Sequence, residues 1–410
     1  PCAVPSYGNV EQKAIGKTIG NGAAFTASLI IADTLGAGIL STAIAVANLG
    51  WGLGVVTIAL MLGLNIHTSL LLWRLYMQYP EAHTLRELVD LAMATAPRRQ
   101  QKWVALTVRS SQQFGIAMMS GLYIYTIGRG LGMFFHHVQW CLPIWTLIGS
   151  CFIILPCHLY GRRFDNWQIL VWINCATILA TCIIPLAWMA SQGAEESRPP
   201  ESRFEFISST LSVGGTISSL CIFGFGLTSQ FILVEIMSEM RDAAEFPKAY
   251  AAYSGPFQLF VFLLTGVGGY YYRGHAVQGM LLDSMPFGPW FRVAAVLLVV
   301  HMVVTYLIKA TVLCRELQVM VCEQGAAWSV VVVAALGFAM LVSQVVPFFT
   351  DLVDLIGATL VPFVCWVVPI AMYLRSFPQC RWHGWSTKSV EWLALMLYAA
   401  LAVVLLVVGT

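Results

Sequence analysis

The sequence predicts an all-α polytopic membrane protein in which each of two halves opens on a span interrupted by glycines. Composition is the first reason: 58% of the 410 residues are hydrophobic and 10% are charged, where a typical soluble domain carries about 25% charged residues. The second is a succession of eleven apolar stretches, each near the ~20 residues that cross a bilayer. The third is an echo between two of them. Gly36-Ala37-Gly38-Ile39-Leu40-Ser41 and Gly224-Phe225-Gly226-Leu227-Thr228-Ser229 both read Gly-x-Gly-aliphatic-x-Ser, and they open halves of similar length.

Glycines in the middle of a span ask for an explanation. Each costs about 1 kcal/mol against Ala in a helix interior, and backbone unwound at membrane depth must find partners in protein, water or ligand. Small residues that let a neighbouring helix pack closely are one reading. A paired interruption, one in each half, is the sequence pointer to a secondary transporter built from inverted repeats, with its binding site at the two breaks.

In chain order, residues 1-21 are polar, carry Lys13 and Lys17, and read as a cytoplasmic tail. The chain begins at Pro1 without an initiator Met or the regions of a signal peptide, as a trimmed or processed product would. The first half, 22-190, holds spans 1 to 5. Span 1 is Ala32 to Trp51 with its run-in, and span 2 continues to about Gln78. Between Tyr79 and Arg99 the stretch Leu85 to Leu91 has helical periodicity with its charges on one face and reads as an interfacial helix. Span 3 covers Trp103 to Leu131. Spans 4 (Ile144 to Leu159) and 5 (Trp167 to Met189) are separated by the basic turn Gly161-Arg162-Arg163.

The strongly polar stretch 191-206 divides the halves as an extracytoplasmic loop. The second half, 207-374, holds span 6 (Ile207 to Met240), span 7 (Tyr250 to Tyr272), a loop with His275, Asp283 and Pro286, then spans 8 (Phe291 to Cys314), 9 (Ala326 to Val345) and 10 (Asp351 to Leu374). Residues 375-410 form a loop and span 11, Val390 to Val408.

Sidedness follows from the placement of Lys and Arg. With the N-terminus in the cytoplasm, only Arg129, Arg198, Arg203, Arg273 and Arg292 fall on the far side, and the other 17 of the 22, Lys309 among them, fall on the cytoplasmic side. That bias implies an N-in, C-out topology in a plasma membrane or endomembrane. A net charge of +2 with no basic block supplies no phosphate-tracking surface, so no nucleic-acid partner is expected. The eleven cysteines lie mostly in apolar runs, Cys151, Cys157, Cys175, Cys182, Cys221 and Cys365 among them, where a thiol behaves as a small hydrophobe. Neither CxxC nor Cys/His metal spacing occurs. Cys141 alone falls in an expected extracytoplasmic loop, which leaves it without a disulfide partner there.

Several segments together resemble one family. Leu35 to Trp51, LGAGILSTAIAVANLGW, is similar to the first-span signature of the amino acid/auxin permease family. Ile232 to Lys248, ILVEIMSEMRDAAEFPK, resembles the ending of that family's sixth span, and Gly268-Gly269-Tyr270 and Asp351 to Leu360 resemble motifs of its seventh and tenth. Ala43, Val234 and Ala243 stand where members often carry Pro, which bears on the substrate more than on the fold. The resemblance covers nearly the whole chain. It implies a LeuT-like 5+5 inverted repeat with an eleventh transmembrane helix, helices 1 and 6 discontinuous, carrying amino acids with a proton or a sodium ion.

Candidate site residues follow from the breaks. N–H groups freed at Gly36, Ala37 and Gly38 would face a substrate carboxylate at a positive helix end. Carbonyls freed around Gly224, Phe225, Gly226 and Leu227 would accept its ammonium group, with Phe225 and Tyr123 selecting the side chain. The resemblance implies a site-facing Tyr at Tyr123; a buried packing ring with a satisfied hydroxyl is the other reading.

Four residues are candidates for ion coupling. Asp33 lies one turn before Gly36, where an ionisable group costs on the order of 3 kcal/mol unless paired or wet, so it is a proton carrier or an acid facing a cytoplasmic vestibule. Glu235 matches the family's glutamate and is expected to brace the inner helix. His301 is a relay or, more plainly, a satisfied core histidine. Thr305 would offer a hydroxyl to a sodium ion between spans 1 and 8, or bond back to its own helix.

No cofactor is expected beyond the co-transported ion. The chain lacks GxSxG, HExxH and P-loop patterns, so no enzyme activity is expected. The sequence therefore implies a proton-coupled amino acid symporter. A sodium-coupled symporter, or a non-transporting sensor or structural subunit of the same fold, are the alternatives.

Overall fold

The computed structural model describes residues 20–160, 168–321, 328–346, 348–378 and 387–409. Most of the expected tail, the turn Gly161-Arg162-Arg163 and Arg381 lie outside the described residues.

Helices dominate because every peptide group in a bilayer must be satisfied within its own segment. Seven helices among the described residues are long and apolar enough to cross a membrane unaided, and a bent pair, Ala23–Thr34 and Ala37–Leu49, makes an eighth crossing with a 53° bend. Three more elements complete the eleven. Span 3 is one 37-residue helix, Arg98–Phe134, whose polar first turns lengthen it beyond the apolar stretch seen in the sequence. Span 4, Leu142–Tyr160, is shorter and contains Pro156. Span 6 is split into Val213–Gly226 and Leu233–Ser238, so residues 207–212 lead into the span rather than forming its first turns.

Span 1 crosses as Ala23–Thr34, a 3₁₀ stretch Ala37–Ser41, and Thr42–Leu49. Span 2 follows as Trp51–Gln78, span 5 as Gln168–Gln192 and span 7 as Gly255–Arg273, which continues wider π-type turns over Lys248–Ser254. Span 8, Pro289–Val321, runs seven residues past Cys314 and packs chiefly against spans 3 and 5. Span 9 is Trp328–Val345, span 10 is Phe349–Ser376, and span 11, Thr387–Val408, is peripheral with Leu397 and Val407 exposed. The interfacial helix is Leu85–Ala92; Thr84 Oγ1 caps it by accepting from Glu87 N–H at 3.2 Å.

Both ends of span 1 are pinned. At its start Asn21 makes a parallel bridge with the end of span 6, donating to Glu239 O (2.9 Å) and accepting from Arg241 N–H (3.0 Å). At its far end Leu49 O accepts from Ser208 N–H, while Trp51 and Gly52 N–H donate to Glu205 O and Phe206 O, each at 3.0 Å. Gly50, at φ 87°, turns the chain there, and a Cβ on it would sit 2.6 Å from Ser208 N. Only glycine takes that turn without strain.

Candidate functional site

The ladder of span 1 ends where Leu35 N–H donates to Ile31 O at 2.9 Å, and Thr34 Oγ1 turns back to Ile30 O at 2.8 Å. Gly36 then leaves the helical region (φ −77°, ψ −148°), and tighter turns resume with Ile39 N–H reaching Gly36 O at 3.4 Å. The break is thus two residues long, and its neighbours Leu35, Ala37 and Ile39 are fully buried.

Span 6 breaks differently. After Gly226, Leu227 and Thr228 N–H fold back onto Phe223 O (3.1 Å) and Phe225 O (3.3 Å), and helix resumes only at Leu233. Residues 227–232 are unwound and include Thr228, Ser229 and Gln230, which need partners once buried. Tyr250 Oη takes Ser229 Oγ at 3.2 Å, and Asn65 of span 2 serves the other two. Its Oδ1 accepts from Thr228 Oγ1 (3.3 Å), Gln230 Nε2 (3.1 Å) and Trp366 Nε1 (3.3 Å), and its own Nδ2 donates to Met61 O (2.8 Å). Gln112 of span 3 adds a bond from Nε2 to Phe231 O at 2.6 Å.

The two breaks meet. A Cβ built on Gly38 would lie 2.6 Å from Gly226 Cα and 2.9 Å from Phe225 Cδ1, and one on Gly36 would lie 3.4 Å from Tyr123 Oη. Phe262 of span 7 closes on Gly226 from the other side. Gly36, Gly38, Tyr123, Phe225 and Gly226 therefore form one junction, with Ala37 and Leu227 buried beside them. Gly224 faces Met61 and Trp366 instead, towards spans 2 and 10.

The principal correction concerns Lys309. The sequence reading assigns it to the cytoplasmic surface, but it lies inside span 8 with 1% of its side chain exposed. Its Nζ straddles the carboxylate of Asp33, 2.9 Å from Oδ1 and 3.0 Å from Oδ2, with donation directed at Oδ2. It therefore says nothing about sidedness. It also answers the question of what Asp33 faces, which is a lysine rather than a wet vestibule. The signal was available: a Lys inside an apolar run is expensive enough to be functional by default. What the sequence could not supply was its partner.

Below this pair a polar notch joins spans 1, 5 and 8. Asn174 Nδ2 donates to Ala32 O (3.1 Å) and Thr305 Oγ1 (3.3 Å). Exchanging its amide oxygen and nitrogen would set oxygen against the Ala32 carbonyl, so this orientation is required. Thr305 Oγ1 itself bonds back to His301 O at 3.0 Å. The His301 ring is held through Nδ1, which donates to Asn174 O at 3.1 Å, and its Nε2 lies 3.4 Å from Thr305 Oγ1, whose single proton serves either Nε2 or His301 O. Glu235 lies towards the interfacial helix, where Oε1 accepts from Gln112 Nε2 (3.3 Å) and Leu85 N–H (3.4 Å).

On the far side, Arg129 of span 3 pairs with Asp283 of the span 7–8 connection at 2.7 Å. Burial raises the Asp283 carboxyl above its ordinary value, and Arg129 only partly offsets this.

Comparison with known proteins agrees with this architecture. The chain is 22% identical over 386 residues to lysine histidine transporter-like 6 of Arabidopsis thaliana, covering 88% of this chain and 84% of that protein. Its fold is that of a nucleobase-cation-symport-1 family transporter solved in a closed conformation with bromovinylhydantoin bound. The TM-score is 0.62 at 12% identity, and the match covers 95% of this chain and 91% of the other. That transporter has the LeuT-like fold. Residues 20–410 match the profile of the transmembrane amino acid transporter proteins, a family of transporters and not of enzymes, and the chain belongs to it.

Proposed function

We propose that this protein is a proton-coupled amino acid symporter working by alternating access. The observation that carries the reading is the direct meeting of the two broken spans at Gly38 and Gly226, with an ionisable pair one turn away. The cargo's carboxylate would be received by the N–H groups at the start of the outer half of span 1, its ammonium by the carbonyl end of the first half of span 6. Family membership and the name of the Arabidopsis relative support an amino acid as that cargo.

Asp33 is the proton carrier on this reading. It sits on the inner half of span 1 and its only charged partner among the described residues is on span 8, so protonating it weakens a tie between a moving element and its scaffold. Glu235 braces the inner half of span 6, and His301 and Thr305 belong to the packed notch. A proton is favoured over sodium because the Asn174 amide already satisfies Ala32 O and Thr305 Oγ1, the oxygens that a sodium ion between spans 1 and 8 would need. The N-in, C-out orientation is part of the same proposal.

Reconstituted liposomes test it. Labelled amino acid should accumulate under an inward proton gradient without sodium. Accumulation only under a sodium gradient would replace the coupling ion, and binding without accumulation under either gradient would make the protein a sensor.

A further inference from the structure

Among the described residues, the junction carries one ion pair and few other carboxylates stand near it. Asp33 and Lys309 are 0% and 1% exposed and hold each other at 2.9 and 3.0 Å, with the Lys309 ammonium also 5.9 Å from the centre of the Phe231 ring. The other buried acids stand further off or are already paired. Glu316, seven residues beyond Lys309 on span 8 and about 10 Å along its axis, is held by Arg109 at 2.9 Å and Arg86 at 3.5 Å. Glu235 is reached through Gln112, which lies eleven residues from Tyr123 on one unbroken helix, about 16 Å along its axis. Asp354 accepts from Ser218 at 2.7 Å, eight residues before Gly226 and about 12 Å down its helix. Asp283 is occupied by Arg129, which lies six residues beyond Tyr123, about 9 Å along the helix.

We propose that Lys309 sets the charge of the cargo: by neutralising Asp33 it leaves the junction of spans 1, 6 and 8 without a carboxylate for a second positive group. The site then takes amino acids with uncharged side chains and rejects lysine and arginine. The inference rests on the carrier reading above and adds a specificity determinant to it. One ammonium, the cargo's own α-amino group, is met by the carbonyl end of span 6. A second would be dehydrated with no free counter-ion, because the Asp33 carboxylate is already taken by Lys309. Discrimination by an uncompensated buried charge is strong because it acts by penalty rather than by a missing contact.

The test compares lysine with norleucine, which has the same carbon skeleton without the terminal ammonium. Purified full-length protein is titrated with each, and ligand-induced thermal stabilisation is read. Norleucine should bind at least roughly tenfold more tightly than lysine to the wild type, and in Lys309→Met, where Asp33 is released to accept a cation, the ratio should narrow about tenfold or reverse. Equal binding of the two by the wild type would overturn the proposal whether or not the variant folds. So would an unchanged ratio in a folded Lys309→Met protein. Absence of binding by either ligand would overturn it together with the site reading, whereas norleucine binding without accumulation in liposomes would sink the carrier reading alone and leave the specificity standing.

Discussion

The breaks in spans 1 and 6 look alike in sequence and are held in different ways. The span 6 break is six residues long and polar, and neutral hydrogen bonds with Asn65 and Gln112 fasten it to spans 2 and 3, Trp366 of span 10 donating to the same Asn65 oxygen. The span 1 break is two residues long and apolar, and the helix leading into it is fastened to span 8 by an ion pair. Amide and indole hydrogen bonds do not change with pH. A carboxylate–ammonium pair does, so the two breaks differ in whether a proton can alter their attachment. The first half of span 1 and the end of span 6 are also bridged to each other through Asn21, Glu239 and Arg241.

The largest expected effects come from closing the contact between the breaks. Gly38→Val puts side-chain atoms against the Gly226 backbone, 2.6 Å from where its Cβ would stand, and should abolish folded protein in detergent. Gly36→Val places its Cβ in ordinary contact with the end of the Tyr123 ring, at 3.4 Å, and with Asp33 O, at 3.5 Å. It should fold, as judged by size-exclusion profile, and lose uptake. Normal transport by either variant would break the reading of this junction as the site.

Next come changes to the ion pair. Asp33→Ala leaves a buried ammonium without its partner and should cost about 3–5 kcal/mol of stability, read as a lower thermal midpoint. The double variant Asp33→Asn/Lys309→Met should recover most of that loss, since replacing a whole buried pair is often nearly neutral. Uptake that still depends on a proton gradient in the double variant would remove Asp33 from coupling.

A smaller effect is expected at the neutral attachment. Asn65→Leu removes the acceptor of Thr228 and Trp366, while Gln230 keeps Thr68 Oγ1 and the residue 65 carbonyl; it should cost about 1–3 kcal/mol and leave the pH profile of any residual uptake unchanged. A shifted profile would blur the distinction between the two breaks.

The smallest effect is at the strap that pins the far end of span 1. Glu205, half-buried in the loop, is held below its ordinary carboxyl range first by the Ser209 backbone N–H and then by the Ser209 and His275 side chains. Its stabilising contribution is therefore present above its unfolded value and lost as pH falls through the lower folded one. Thermal midpoints of Glu205→Gln should fall less on acidification than those of the wild type; parallel curves would show that the strap carries no titratable tie.

Much of this architecture is legible in the residues, and the reason is locality. Span existence depends on runs of apolar side chains, and both interruptions depend on glycines whose cost is paid within the helix that contains them. Phe225 and the four central glycines of the motifs stand out on that basis, Tyr123 only through the family resemblance, and three of those glycines, Gly36, Gly38 and Gly226, come together with both rings. Gly224 shows where the local argument ends, because the direction a residue faces after a break is decided by what packs against it, here Met61 and Trp366.

The sequence by itself determined a multi-span helical membrane chain with glycine interruptions in two of its apolar stretches, since hydropathy and backbone cost are summed over neighbours in the chain. Only the tertiary structure decided that Lys309 is interior and belongs to Asp33, 276 residues away, and that Asn65 and Asn174 complete the polar groups around the breaks. Charge pairing and hydrogen-bond satisfaction act across space at about 3 Å, a distance that chain order does not encode until the helices have packed.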